Sequence, residues 1–224
     1  MTYILNIETA TKNCSVSIAK NGKTIALQEL NDGKYSHAEK LHEFIKNVLE
    51  DSTIEFKDLK AVAVSKGPGS YTGLRIGVSA AKGICFALGI PLIATDTLQA
   101  LAMSFAINDG VKIPLLDARR MEVYSAVYSD KNLKTREVAA EIIDESSFNQ
   151  YLIDGEVYFL GDGASKCKEI ITHKNAVFVE DKFPSANEMG SLSFIKFKNK
   201  EFEDVAYFEP FYLKDFLVTT SKKK

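Results

Sequence analysis

A strand, Ala61-Val62-Ala63-Val64-Ser65, runs straight into the turn Lys66-Gly67-Pro68-Gly69-Ser70. The turn opens a helical stretch over 71–88 that holds three internal glycines, Gly73, Gly77 and Gly83. No other feature constrains the fold so narrowly. A glycine-rich turn from strand to helix gathers free backbone N–H groups at the positive end of the helix dipole, so it suits an anion. The helix beyond it is costly. Each interior glycine is worse than alanine by about 1 kcal/mol, roughly 3 kcal/mol for the three. Close approach of another backbone or of a ligand is the usual compensation.

Turning about 100° per residue sorts this helix into faces. Arg75, Ser79 and Lys82 form a narrow polar stripe, with Gly73, Gly77, Ala80 and Ile84 opposite. Leu74, Val78, Ala81 and Cys85 flank them on one side, Ile76 and Ala87 on the other. A helix lying only on its own sheet needs an apolar stripe of about 100°. This one is apolar or small around most of its circumference, so it is expected to be covered twice, by its sheet and by a second element. Which face meets which is not decided by the sequence.

At 224 residues, 46% apolar and 26% charged, the chain has the composition of one large or two small globular domains. A net charge of −2 supplies no global field for nucleic acid. The start, Met1-Thr2-Tyr3-Ile4, lacks the basic segment of a signal peptide, and no apolar run reaches the ~18 residues of a membrane span. A cytoplasmic protein without a membrane association is expected. Cys14, Cys85 and Cys167 sit among apolar or small neighbours and read as core thiols. The tail Ser221-Lys222-Lys223-Lys224 reads as a solvated end.

Along the chain, strands are expected over 3–8, 15–19 and 24–27, joined by the hairpin signal Asn21-Gly22 into an antiparallel meander. Ser36-His37-Ala38-Glu39 has capping-box spacing and starts a helix with Leu41, Phe44, Ile45, Val48 and Leu49 at helical intervals. A strand over 91–94 and a helix over 97–107 come next. Beyond the turn Asn108-Asp109-Gly110 are strands over 113–116, 122–128, 136–143, 157–160 and 176–179, with helices over 164–172 and 186–197. Meanders alternating with strand–helix units imply α/β layers. The organisation expected is an N-terminal subdomain, 1–108, and a C-terminal subdomain, 109–224.

The chemical motifs are weak. The glycine turn lacks the Gly-Lys-Ser/Thr of a P-loop, and Gly73 comes one residue too late for a dinucleotide fingerprint. His37 and His42 point about 140° apart on a helix, whereas a chelating pair wants a spacing of four, so a capped, solvated His37 is favoured over a metal ligand. Glu8-Thr9-Ala10-Thr11 ends the first strand, where a carboxylate and hydroxyls could face a phosphate and its cation; a polar turn explains it as well. Arg119 and Arg120, between Asp117 and Glu122, read as a phosphate or carboxylate clamp or as a salt-bridged turn. Gly161-Asp162-Gly163 is a second, weaker phosphate-loop candidate. No nucleophile–histidine–acid set emerges.

Taken in order, Ile7-Glu8-Thr9-Ala10-Thr11 with Cys14-Ser15-Val16, Gly67-Pro68-Gly69-Ser70-Tyr71-Thr72-Gly73-Leu74-Arg75, and Leu116-Asp117-Ala118-Arg119-Arg120-Met121-Glu122-Val123-Tyr124 resemble the bacterial TsaB (YeaZ) family. Ser36-His37, Gly161-Asp162-Gly163-Ala164 and Pro210-Phe211-Tyr212-Leu213-Lys214 agree more weakly. The resemblance implies an actin-like/sugar kinase (ASKHA, RNase H-like) α/β fold with two tandem subdomains of mixed sheet and packed helices. It implies a non-catalytic dimerization subunit. The subunit pairs with a catalytic paralogue, TsaD, and with an ATPase, TsaE, to install threonylcarbamoyladenosine (t6A) beside the tRNA anticodon.

The resemblance also implies that tRNA is met through the complex; the sequence leaves open whether the free chain is a homodimer or a monomer. This chain would need no cofactor or metal, ATP and metal belonging to the partner subunits; TsaD's His-x-x-x-His arrangement is missing here. The partner contact falls on the two helices after the meander, giving Ser36, His37, Leu41, Ile45, Gly69, Tyr71, Gly73, Leu74, Gly77, Val78 and Ala81 as interface residues. In that reading Gly69, Gly73 and Gly77, repeating every four residues, let two helix backbones approach closely. The competing reading is an independent nucleotide-binding ATPase of the same fold using Glu8, Thr9, Gly67, Gly69 and Asp162. A zinc peptidase is disfavoured by the missing histidine pair.

Overall fold

The computed structural model describes residues 1–213; Lys214 and the lysine-rich tail 221–224 lie outside the described residues. Among the described residues, ten strands form two five-stranded mixed sheets. In the first, β1 (Tyr3–Glu8), β2 (Cys14–Lys20) and β3 (Lys23–Leu30) make the antiparallel meander, and β4 (Leu59–Gly67) and β5 (Leu92–Asp96) extend it in parallel on the other side of β1, in the order β3-β2-β1-β4-β5. The second sheet repeats the pattern. The strands β6 (Val111–Asp117), β7 (Glu122–Ser129) and β8 (Lys134–Ile142) form the meander, and β9 (Val157–Leu160) and β10 (Ala176–Val179) run parallel to β6, in the order β10-β9-β6-β7-β8. One topology occurs twice, which gives the two tandem mixed sheets that were expected.

The first sheet is covered on both faces, which its sequence reflects. Along β1 and β4 successive side chains alternate between faces. Leu5, Ile7, Val62 and Val64 pack under α1 (His37–Ser52) and α2 (Tyr71–Leu88), while Ile4, Ala61 and Ala63 pack under a helix on the opposite face. Strands buried on both sides read as continuous apolar runs, which is why residues 61–64 show no polar alternation.

The helix on that opposite face corrects the subdomain boundary at residue 108. It is α6 (Ala186–Asn199), from the second half of the chain, and Ala186 and Met189 complete the first sheet's second core. Ser17 donates to the Ala186 carbonyl at 2.7 Å, and Ser193 donates to Asn6 Oδ1 at the same distance. Beyond α6 the chain stays on the first lobe. Glu203 bridges to Leu92, Lys82 Nζ donates to the carbonyls of Ala206 and Phe208, and the Tyr212 ring packs on Tyr71 at 5.0 Å. Sequence periodicity reports that a helix has an apolar face, but not which sheet that face will find.

The remaining helices are short. α3 (Thr97–Met103) sets Leu98, Leu101 and Ala102 against Leu116, Ala126, Tyr128 and Leu160 of the second sheet, and Ala100 against the first. It ends four residues before the expected 107. α4 (Asn149–Leu152) was not expected, and α5 (Ala164–Lys168) is about half the expected length. Both cover the other face of the second sheet through Phe148, Leu152, Ala164 and Cys167. Cys14, Cys85 and Cys167 are buried free thiols whose pKa burial pushes up to about 11, as core cysteines should be.

Candidate functional site

The glycines of α2 have their explanation inside the chain. The turn after β1 lies directly on the start of α2. Thr9 Oγ1 donates to the Gly73 carbonyl at 2.8 Å, and the Ser70 N–H donates to the Ala10 carbonyl at 2.7 Å. A methyl group on Gly73 would overlap the Thr9 carbonyl oxygen, and one on Gly77 would overlap Thr9 Oγ1. One on Gly69 would lie 2.5 Å from the Ala10 carbonyl oxygen. The backbone admitted by these glycines is therefore that of residues 9–10 of the same chain, which corrects the expectation that Gly69, Gly73 and Gly77 admit a partner. Of the three glycines inside α2, only Gly83 has open space in front of it.

This packing closes the place where a phosphate and its cation were considered. Glu8 is fully buried. Its Oε1 accepts from the Ala10 N–H at 2.6 Å and from Ser65 Oγ at 2.9 Å, while Oε2 has no hydrogen-bond partner. Burial raises its pKa to about 7, against the pull of the Ala10 and Ser65 bonds. Gly67 is buried at φ +112°, with the Phe211 N–H donating to the neighbouring Lys66 carbonyl. Each of the four is thus taken up by neighbouring protein atoms: Glu8 by Ala10 and Ser65, Thr9 by Gly73, Gly67 by Phe211 and Leu74, and Gly69 by Ala10.

His37 joins the same seam. It is buried, and its Nε2–H donates to the Thr11 carbonyl at 2.7 Å, which corrects the solvated reading. Desolvation lowers its pKa, against the opposing effect of the Thr11 bond. Ser36 precedes α1, but its side chain makes no cap bond and instead donates to Asp32 at 3.4 Å. The capping-box spacing did not become a capping box.

What stays open is the outer surface of the helix pair. Ala38 and His42 of α1 with Thr72, Ile76, Ala80, Gly83 and Ile84 of α2 line a shallow groove of about 820 Å³, bordered by Tyr71, Arg75 and Ser79. Phe86, a turn further along α2, is 83% exposed. Of the interface residues expected from sequence, Leu41, Ile45, Leu74, Val78 and Ala81 are buried within the chain itself, so their side chains are not available to a partner. Tyr71 alone of that set borders the groove. The groove residues Ala38, His42, Ile76, Ala80, Gly83 and Ile84 were missed as a set. The available signal was Gly83, which lies off the line joining Gly73 and Gly77.

Asp162 lies apart from Glu8, in the second lobe. Its Oδ1 accepts from the Asp117 N–H at 3.0 Å, and burial raises its pKa. Asp117 pairs with Lys166 at 2.5 Å, and Lys166 also donates to the carbonyls of Arg120 and Glu122. The salt-bridged turn is real, but its cation is Lys166 and not Arg119 or Arg120. Among the described residues no group of three or more His, Cys, Asp or Glu side chains is placed to hold a metal, and no helix is long and apolar enough to cross a membrane.

Comparison with known proteins places this geometry. The family model described as TsaD, tRNA N6-adenosine threonylcarbamoyltransferase, matches residues 32–220. A Bacillus subtilis protein named tRNA threonylcarbamoyladenosine biosynthesis protein TsaB is 32% identical, over 94% of this chain and 93% of its own length. The Escherichia coli protein of the same name is 29% identical, over 95% and 94%. Among solved structures, YeaZ from Pseudomonas aeruginosa superposes with a TM-score of 0.84 at 22% identity, covering 95% of this chain and all of that one, a likeness of fold.

Proposed function

The chain belongs to the TsaB family, and from that premise we propose that it is the non-catalytic docking subunit of an assembly that makes threonylcarbamoyladenosine in tRNA. The carrying observation is the pairing of an open apolar groove on α1 and α2 with a first-lobe turn shut by its own glycines. A catalytic member of an actin-like fold needs room between its turns for phosphates. Here Glu8 lies buried among Ala10 and Ser65.

In this reading a TsaD-type paralogue seats its own helix pair in the groove, and a TsaE-type ATPase joins the assembly. ATP and metal are handled by those subunits, and tRNA is held by the complex. A second copy of this chain takes the groove when the paralogue is absent. The work is done in the cytoplasm, where tRNA is matured.

The test is co-purification with a TsaD-type partner. Ile76→Glu and Ile84→Glu place charges where apolar contact is expected, and each is expected to abolish pairing while the chain stays folded, with some loss of thermal midpoint because both side chains also pack partly on the first lobe's core. Retained pairing in both variants refutes the groove. The competing ATPase reading is tested by calorimetry of the isolated chain with ATP and magnesium. Tight binding that Glu8→Ala removes would favour it over the docking role.

A further inference from the structure

Lys12, Arg119 and Arg120 are exposed, and among the described residues none of the three has an ion-pair or side-chain hydrogen-bond partner. They come from both lobes, Lys12 from the turn after β1 and the arginines from the turn after β6. These are corresponding turns of the repeated topology. Tyr35, 60% exposed, lies within electrostatic reach of Arg119, Asp117 and Asp162, and Asp162 within reach of Lys12 and Lys166.

The acids at this rim are already occupied. Asp117 holds Lys166 and the Arg119 N–H, and Asp162 accepts from the Asp117 backbone. Lys166, gripping Asp117 and two backbone carbonyls, fixes the turn so that Arg119 and Arg120 sit in the left-handed region at φ 71° and 53°. That conformation is uncommon for non-glycine residues. The Arg119 and Arg120 backbone is therefore held in one conformation, and among the described residues neither guanidinium is tied into an ion pair.

We propose that Lys12, Tyr35, Arg119 and Arg120 form a contact for the single-stranded loop of an RNA, the three cations meeting backbone phosphates and Tyr35 stacking on an unpaired base. Guanidinium groups match phosphate oxygens in paired geometry. An exposed aromatic beside a cationic track is the ordinary means of holding single strands. RNA is favoured over a free nucleotide because the first lobe offers no phosphate cradle, its turn being filled by Glu8 and by the Gly69–Ala10 contact. The inference rests on the tRNA-modifying role proposed above and adds which surface meets the RNA.

The experiment is fluorescence anisotropy of a labelled anticodon stem-loop RNA with the full chain, alone and bound to its TsaD-type partner. Lys12→Glu and the double variant Arg119→Glu/Arg120→Glu lie on separate turns, so loss of fold in one leaves the other as the test. Each is expected to weaken RNA binding about tenfold or more, and Arg119→Gln/Arg120→Gln to flatten the salt dependence by roughly 1.5 log units per log unit of salt. Tyr35→Ala should lose about fivefold or more, with Tyr35→Phe near wild type.

Co-purification with the partner should persist in every variant, which separates this inference from the docking role; failure of docking in the groove variants would not touch it. Unchanged RNA affinity in both charge-reversed proteins overturns the proposal. So does loss of partner binding on reversal, which would make the patch a protein interface. Binding of labelled ATP that depends on these residues, without RNA binding, overturns it too.

Discussion

The two lobes share one strand order and differ in the helices that connect their strands. After β3 and β4 the first lobe carries helices of 16 and 18 residues, α1 and α2. At the corresponding places the second lobe carries α4 and α5, of 4 and 5 residues. Covering one face of a sheet does not require the longer pair, because Phe148, Leu152, Ala164 and Cys167 manage it in the second lobe. The extra length of α1 and α2 builds an outer face as well as an inner one.

The turns after β1 and β6 differ in the same sense. The first is sealed by Gly69, Gly73 and Gly77 around a buried Glu8, while the second, although Gly161 and Gly163 pack on the Leu115 backbone, exposes Asp117, Arg119 and Arg120, with Asp117 and Asp162 held by Lys166 and by backbone. One topology can thus be closed for packing in one copy and left open for contact in the other.

The comparison breaks most directly at Gly73. A leucine there must displace the Thr9 backbone, and overpacking against backbone is expected to cost about 3 kcal/mol or more. Urea unfolding would read this as a collapse of the midpoint. If Gly73→Leu is fully stable, the sealed-turn account is wrong.

Next in size is the pH dependence from Glu8. Its pKa is raised from 4.5 to about 7, so folding favours the protonated acid. Its contribution is fully present below about pH 4.5 and is lost as pH rises through 7. At roughly 1.4 kcal/mol per unit this is about 3 kcal/mol across the window. Glu8→Gln should flatten stability between pH 4.5 and 7, measured by denaturation at several pH values; an unaltered profile would place the titration elsewhere.

In the second lobe Lys166→Ala removes three hydrogen bonds from a partly exposed turn. A loss of about 1–2 kcal/mol is expected, smaller than at Gly73 because water reaches the site. A loss as large as that at Gly73 would erase the distinction between sealed and open turns. Smallest is Gly83→Ala, which faces open space and should raise stability by up to about 1 kcal/mol through helix propensity alone. Destabilisation there would mean that Gly83, too, is packed.

Local regularities were legible in the sequence because their causes are local. Apolar alternation and glycine punctuation gave the β1–β3 meander and α2 with its observed ends, Tyr71 and Leu88. The Gly73 and Gly77 penalty correctly demanded a close neighbour, and the motifs named the family. What the chain could not say by itself was the identity of that neighbour. Thr9 lies 64 residues from Gly73, and a helix face is equally apolar whether it meets its own first turn or a foreign helix. The return of α6 to the first sheet, the burial of Leu41, Ile45 and Val78, and the unpaired state of Lys12, Arg119 and Arg120 are likewise decided by which distant segments meet. Periodicity fixes the direction of a side chain within its own element, and only the tertiary structure sets what lies in that direction.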